Sequence, residues 1–349
     1  MKDHWIWTTE QIWSVWVITD RGDTVGTAAY KEMTECVEQP ENFHTPVMLT
    51  EVLDLLQPER GDVCVDGTVG LGGHYEAILG RIQPGGFLIG IDRDKESLDK
   101  ADERLKSYHG GFRLFHDNYK NLPAVLNSLS VESLDSILLD LGVNSWQLLS
   151  TERGFSFQSD AMLDMRIDRT QSRTAADIVN EMPEKQLADL IYKYGEEKFS
   201  RRIAAAIVNE REISPITRCS QLAGIIKRVI PIRGKLRIHP ATKTFQALRI
   251  ALNAELERLE EFLFDVAGFL KPGGRLVVIA FHSLEDRNVK RAFRRLAGQC
   301  VCDSPPELCL CDRRVSVKIL TSRPMTPGPE ELSVNPRARS ARLRAAVKI

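Results

Sequence analysis

Val63-Cys-Val-Asp-Gly-Thr-Val-Gly-Leu-Gly-Gly-His74, followed by Phe87-Leu-Ile-Gly-Ile-Asp-Arg-Asp94, reads as a strand, a glycine turn, a helix and a second strand that ends on a carboxylate. Apolar and β-branched residues closing on glycines, then an amphipathic segment and another apolar run, open a doubly wound parallel sheet. Glycines let the backbone approach a ligand closely, and Asp92, about 20 residues past the turn, stands where a carboxylate accepts hydrogen bonds from a ribose diol. Asp66 ends the first strand directly before the glycines. A carboxylate there repels a pyrophosphate and attracts a positively charged amino acid group, which favours S-adenosylmethionine over NAD as the cofactor. A purely structural strand-to-helix turn would use the same glycines without needing the two carboxylates.

The sheet continues outward from this unit. Phe112 to Tyr119 reads as a third strand and Leu134 to Leu141 as a fourth, with Asp140 at its end. Ligands of open α/β sheets lie beyond the carboxyl ends of the strands, so Asp92, Tyr119 and Asp140 are expected to converge on one crevice. An Asp in such a place also serves as a helix cap, and a Tyr as a core aromatic. Recurrence at the same end of successive strands favours the crevice. After Asp140 the alternation stops. Gly154-Phe-Ser-Phe157 and Leu163 to Asp168 read as an ordered loop, and residues 174–229 show helical periodicity through Ala175, Ile178, Val179 and the segment Leu187 to Tyr194. The expected organisation is an N-terminal extension over 1–40, a cofactor domain over 41–145 and 240–349, and an inserted, mostly helical substrate-recognition domain over 146–239. Arg201, Arg202, Arg211, Lys227 and Arg228 make that insert a candidate clamp.

A long helix over Thr242 to Leu270 is expected to bury Phe245, Leu248, Leu252, Leu256, Leu259 and Leu263 along one stripe. Thr242, Gln246, Arg249 and Asn253 share another edge, directly after the basic loop Arg233-Gly-Lys-Leu-Arg-Ile-His-Pro240. A helix start with added cations is a phosphate site, so Arg233, Lys235, His239, Lys243, Gln246 and Arg249 are candidate RNA contacts; a solvated helix edge is the alternative. Lys271-Pro-Gly-Gly274 is expected to end this helix and Arg275 to Ser283 to form a fifth strand. Ser283 and Asp286 read as a capping pair, and His282 as a candidate proton acceptor. Val315 to Leu320 and Ala341 to Ile349 are expected to complete the sheet as an antiparallel pair, across a Pro-rich loop from Pro324 to Pro336.

A chain of 349 residues, 43% hydrophobic and 27% charged, can bury a large core and hold two domains. Its net charge of -1 hides an asymmetry: residues 1–60 carry eleven acidic against four basic side chains, 201–250 carry eleven basic against two acidic, and 312–349 nine against three. Two basic regions suggest a polyanionic partner such as nucleic acid. No stretch approaches the roughly 20 apolar residues of a membrane span, and the start lacks a basic and apolar leader, so a cytoplasmic location is expected. Four of the seven cysteines form Cys300-Val-Cys302 and Cys309-Leu-Cys311. Reducing surroundings argue against disulfides there, and because C-x-C pairs are less typical of zinc than C-x-x-C, surface thiols without a metal are the expectation. Trp5, Trp7, Trp13 and Trp16 follow no helical or strand period. Met33 stands shortly before the recognisable domain, and a chain beginning there is expected to fold and keep full activity. Oligomeric state stays open between monomer and homodimer.

From His44-Thr-Pro-Val-Met48 to its end the chain resembles the bacterial 16S ribosomal RNA cytosine-N4 methyltransferases, the MraW family. The matching pieces are Asp66-Gly-Thr-Val-Gly-Leu-Gly-Gly-His74, Gly90-Ile-Asp-Arg-Asp94, Asp140-Leu-Gly-Val143, Arg153-Gly-Phe-Ser-Phe157, Asp164-Met-Arg166, His239-Pro-Ala-Thr-Lys-Thr-Phe-Gln-Ala-Leu-Arg249 and Phe281-His-Ser-Leu-Glu-Asp-Arg287. The resemblance implies a Rossmann-like class I methyltransferase sheet with an inserted helical subdomain and S-adenosylmethionine as cofactor; the methyl transfer itself requires no metal. It places the cofactor contacts on Gly72, Gly73, His74, Asp92, Tyr119, Asp140 and Gln147. The implied target is a cytosine in the decoding region of 16S rRNA, within the 30S subunit or a late assembly intermediate. Where the family usually reads Asp-Leu-Gly-Val-Ser-Ser-Pro-Gln, this chain has Asn144 and Trp146 in place of the first Ser and the Pro, and Ala161-Met162 in place of a Gly-Pro pair. Trp146 is expected to pack into the insert or to stack on a base.

A cytosine amine is a poor nucleophile because its lone pair is conjugated with the ring. Methylation therefore needs the base held in line with the donor and acceptors that draw the amine hydrogens. Asp140, or the 140–147 loop with Asn144, is the candidate acceptor for an unstacked cytosine. Two other classes compete. A DNA or protein amino-methyltransferase would carry an Asp/Asn-Pro-Pro-Tyr-like loop after the fourth strand, which this chain lacks, and a noncatalytic RNA-binding factor would not need the glycine turn and its carboxylates.

Overall fold

The computed structural model describes residues 46–158, 160–231, 238–302, 308–309 and 313–349. The extension 1–40 with Met33, the RNA-contact candidates Arg233 and Lys235, and Cys311 lie outside the described residues.

Strand and helix alternate through the first half: α1 (Leu49–Leu56), β1 (Val63–Asp66), α2 (Gly73–Ile82), β2 (Phe87–Asp92), α3 (Lys95–Arg104), β3 (Phe112–His116), α4 (Leu122–Ser128) and β4 (Leu134–Asp140). A run of helices follows: α5 (Ser145–Leu149), α6 (Ala175–Glu181), α7 (Glu184–Gly195), α8 (Ser200–Ile213), α9 (Cys219–Val229) and α10 (Thr242–Leu252). The chain then returns through α11 (Leu259–Val266), β5 (Leu270–Ala280), α12 (Ser283–Leu296), β6 (Val317–Ile319), α13 (Pro329–Val334) and β7 (Arg342–Lys348). The strands form one sheet in the order β3-β2-β1-β4-β5-β7-β6. All pairings from β3 to β5 are parallel, and β7 inserts antiparallel between β5 and β6. This is the expected class I methyltransferase sheet, with its order reversing between β1 and β4, where such sheets bind ligands.

Successive strand residues point to opposite faces, and both faces are covered. Val65, Ile89, Ile137, Leu139 and Val278 enter one buried cluster with α4, α11 and α12. Cys64, Leu88, Leu138, Val277 and Ile279 enter another with α1, α2 and α3. Double-sided burial explains why these strands read as unbroken apolar runs rather than alternating ones. A third cluster lies in the helical stretch, where Leu187, Ile191, Ile203, Ile207, Leu222 and Ile226 are buried together with Phe245 and Leu248 of α10. Each such side chain contributes about 1.5–3 kcal/mol of burial. Among the described residues no helix is long and apolar enough to cross a membrane.

The long helix expected over Thr242 to Leu270 is two helices. Helix α10 stops at Leu252 with Asn253 as its C-cap, and Ala254 and Arg258 take positive φ values of 50° and 53° before α11 begins. The stripe is thereby divided: Phe245 and Leu248 join the helical cluster, whereas Leu259 and Leu263 join the sheet. Periodicity alone cannot register a break that keeps the spacing. Asn253 is fully buried; its amide donates to Met165 O and Arg249 O, both at 2.9 Å, and its side-chain oxygen accepts from Ile167 N at 2.8 Å. Lys271-Pro-Gly-Gly274 does not end a helix but belongs to β5. His282, not Ser283, caps α12, accepting from Glu285 N, while Ser283 Oγ donates to Glu196 at 2.9 Å.

Candidate active site

The carboxyl ends of β1, β2 and β4 open on a cleft with about 140 Å³ of open volume. Gly73, His74, Asp92, Tyr119, Asp140, Asn144 and Gln147 all line it. Gly72 stands beside the lining, where with φ 81° it turns the chain into α2 against Ala101. Asp66 does not line the cleft and is 1% exposed.

Asp92 is held by backbone N–H groups. Its Oδ2 accepts from Gly70 N at 2.7 Å and its Oδ1 from Asp94 N at 2.8 Å, so β2, the glycine turn and the start of α3 are tied at one carboxylate. Asp66 Oδ1 accepts from Thr68 N at 3.0 Å, and Thr68 Oγ1 in turn accepts from Asp140 N at 2.6 Å. Thr68, not singled out from the sequence, therefore links the ends of β1 and β4. His74 Nε2 meets Val47 O at 2.9 Å, and its Nδ1 lies 3.5 Å from Asp140 Oδ2. Tyr119 follows β3 on a 3-10 turn and packs edge-on against Phe262, ring centroids 5.0 Å apart.

Four carboxylates, Asp92, Asp140, Glu255 and Glu285, line the cleft together with Arg93, Lys120 and Arg337. Burial, more than the neighbouring carboxylates, pushes Asp66 up to about 7 and Asp92 to about 6, and drives Asp140 well above the usual carboxylate range, with Asp66 and Glu285 adding repulsion. Asp66 Oδ2 and Asp140 Oδ1 are buried with no hydrogen-bond partner among the described residues. Buried acceptors left unsatisfied cost about 1–3 kcal/mol each, which a cationic ligand with N–H donors would recover. With Asp140 Oδ1 at the cleft and four carboxylates along it, the lining suits a ligand that carries positive charge and N–H donors, as S-adenosylmethionine does.

One side of the cleft is built by a clasp that the sequence reading overlooked. Arg153 and Asp94, exposed 2% and 1%, form a two-pronged ion pair at 3.2 and 3.1 Å. Arg153 also donates to Glu96 at 2.9 Å and to Ile167 O at 2.9 Å, joining the α3 start to the loop beyond residue 150. Gln147 Nε2 donates to Asp94 Oδ2 at 2.7 Å while its Oε1 accepts from Asn144 N at 2.9 Å. Asn144 caps α5 through Gln147 N at 2.9 Å and reaches Ser97 at 2.8 Å. Both Asp94 and Arg153 stand in the family motifs, but only the folded chain shows that they pair. Trp146 neither packs into the insert nor faces the cleft lining: it is 39% exposed, beneath Lys100 Nζ at 4.0 Å from the ring centroid.

The row expected to meet phosphate is largely engaged. Arg249 makes a bidentate pair with Glu255 at 3.0 and 2.9 Å, Gln246 Nε2 donates to Tyr194 O at 3.3 Å, and Lys243 Nζ to Glu196 O at 2.9 Å. His239 is exposed and stacks on Phe157, centroids 4.4 Å apart at 8°. Arg211 likewise serves the fold, donating to Val179 O and Met182 O, whereas Arg201, Arg202 and Lys227 are exposed. His282 sits 3.2 Å from Glu285 and does not line the cleft, which Glu285 and Glu255 do.

The model of the MraW methylase family matches residues 41–349. The ribosomal RNA small subunit methyltransferase H of Desulforapulum autotrophicum is 48% identical over 308 residues, 88% of this chain and 99% of that protein. Its namesake in Geobacter sulfurreducens is 52% identical over 308 residues, with 88% and 99% covered. The one in Halothermothrix orenii is 46% identical over 309 residues, with 88% and 98% covered. A match of this extent, on a class I sheet whose cleft suits a cationic methyl donor, means that the chain is a methyltransferase and belongs to the MraW methylase family.

Proposed function

We propose that this enzyme methylates the exocyclic N4 of a cytosine in the decoding region of 16S rRNA, with the 30S subunit or a late assembly intermediate as its substrate in the cytoplasm. The observation that carries the reading is the unpartnered Oδ1 of Asp140, a buried acceptor in the cleft at the end of β4. Close relatives named as small-subunit ribosomal RNA methyltransferases support the substrate class.

S-adenosylmethionine supplies an electrophilic methyl group on its sulfonium. Asp92 is assigned to the ribose diol, with Gly73, His74, Tyr119 and Gln147 completing the cofactor wall. Asp140 accepts a hydrogen from the cytosine N4, which draws the amine toward a pyramidal, nucleophilic geometry, and His74 holds the other carboxylate oxygen. Burial holds Asp140 well above the usual carboxylate range, so it accepts from the amine only once its own proton has left to water. After transfer the nitrogen is acidic and releases its proton to water, so no dedicated base is required. Asn144 acts by holding the 140–147 loop, since its side chain is spent on the α5 cap and on Ser97. The helical insert over 146–239 serves as the RNA clamp, with Arg201, Arg202, Lys227, Arg233, Lys235 and His239 as its phosphate contacts.

Labelled S-adenosylmethionine supplied with unmodified 30S subunits, 50S subunits or protein-free 16S rRNA tests the substrate. Incorporation into 30S at several times the level in free RNA, and none in 50S, is expected. Equal labelling of 50S would overturn the assignment.

A further inference from the structure

The excursion between α12 and β6 is closed at its base and gathers thiols inside. Ala297 and Val315 form an antiparallel bridge, and Ser316 donates to Leu296 O through its N–H at 2.8 Å and its hydroxyl at 3.1 Å. Within this stem, Gln299 N donates to Arg294 O at 2.9 Å, and the Arg294 guanidinium returns to the Gln299 side chain at 3.1 Å and to Cys300 O at 3.4 Å. Cys300 is therefore delivered to a defined place, where its Sγ lies 3.3 Å from Cys302 Sγ and 3.4 Å from Cys309 Sγ. All three are half-buried.

Those separations are far longer than the roughly 2.05 Å of a disulfide. They approach the spacing a metal imposes, because thiolates about 2.3 Å from a tetrahedral zinc stand about 3.8 Å apart. We propose that Cys300, Cys302 and Cys309 bind a structural zinc ion, which staples the excursion beneath the basic end of α12. Binding displaces the three thiol protons to solvent, and the metal's charge stabilises the thiolates that result. C-x-C spacing alone argued for thiols without a metal; the closed stem, which brings Cys309 back to Cys300, is absent from a reading of spacing. Cys311 repeats the pair in sequence but lies outside the described residues, so its substitution counts the thiolates. Cys64 and Cys219 are of another kind: buried singly, their thiols are pushed up to about 12 and stay protonated.

The test uses the full chain, purified without chelator from zinc-supplemented cells, with metal measured by mass spectrometry and Co2+ titrated into the reduced, metal-stripped protein. About one zinc per chain and a tetrahedral cobalt–thiolate spectrum are expected. Cys300→Ser should lower the zinc content about tenfold and Cys219→Ala should leave it unchanged. Loss in Cys311→Ser would make the site four-thiolate, and retention three-thiolate, either with the proposal standing. Wild-type protein without bound zinc and without a cobalt spectrum, Cys300→Ser retaining its zinc, or disulfides among these cysteines in freshly purified protein would each overturn it. The cobalt titration decides even if the variants fold poorly.

Discussion

Replacing Arg153 by Met should be the most damaging conservative-volume change near the cleft. The guanidinium is 2% exposed and holds Asp94 with two hydrogen bonds while reaching Glu96 and Ile167 O. Removing one partner of a buried pair leaves a stranded charge and costs about 3–5 kcal/mol. With about 2.1 cal/mol/K of unfolding entropy per residue, a chain of 349 residues shifts by about 1.4 °C per kcal/mol, so the melting temperature should fall by about 4–7 °C. The effect reaches function because Asp94 also anchors Gln147 at 2.7 Å, so affinity for S-adenosylmethionine should drop about tenfold even at temperatures where the variant is folded. Thermal melts and calorimetric titration of Arg153→Met, Asp94→Asn and the double variant measure this. A coupling above about 1.5 kcal/mol is expected between the two sites. A melting temperature within about 2 °C of the parent, or strictly additive single effects, would refute the clasp.

Asp92→Asn keeps the shape but turns an acceptor facing Gly70 N or Asp94 N into a donor, and removes the charge assigned to the ribose; the Kd for S-adenosylmethionine should rise about 10- to 100-fold by titration, and an unchanged Kd would remove Asp92 from the site. Cofactor affinity should strengthen as pH rises from about 5 to 7, because Asp92 near 6 must lose its proton before it can accept from both ribose hydroxyls; a flat profile would contradict this. In the unliganded protein the raised values of Asp92 and Asp66 have the opposite consequence: stability present below the ordinary carboxylate range is lost as pH climbs through 6 and 7, which pH-dependent melts would register. Asn253→Ala strands Ile167 N and Met165 O at the junction of two cores and should cost about 2–4 kcal/mol in chemical denaturation, whereas a change under about 0.5 kcal/mol would show that the junction is not held there.

Strands β1, β2 and β4 were legible because double-sided burial writes itself as apolar runs, and the strand ends gave Asp92, Tyr119 and Asp140 by the rule that ligands gather there. The helical stretch and the antiparallel end pair were legible from period and spacing. The α10–α11 break was not, since Leu248, Leu252, Leu256, Leu259 and Leu263 keep helical spacing across it, and only the tertiary partners of Asn253 show where the chain turns. The same partners explain the phosphate row: Arg249 looks exposed on a helical wheel but meets Glu255 only because the helix stops. Long-range pairs such as Arg153 with Asp94 join segments 59 residues apart, a separation that local pattern does not encode. The thiol cluster escaped for the same reason, as its geometry depends on a stem closed by the Ala297–Val315 bridge.

The most direct measurement digests 16S rRNA after reaction of unmodified 30S subunits with S-adenosylmethionine and identifies the nucleosides by mass spectrometry, comparing the parent enzyme with Asp140→Ala. N4-methylcytidine from the parent, with yield from the variant reduced at least about 100-fold while cofactor binding persists, is the predicted result. Methylation on the cytosine ring carbon or on another base, or full N4 activity in Asp140→Ala, would contradict the account.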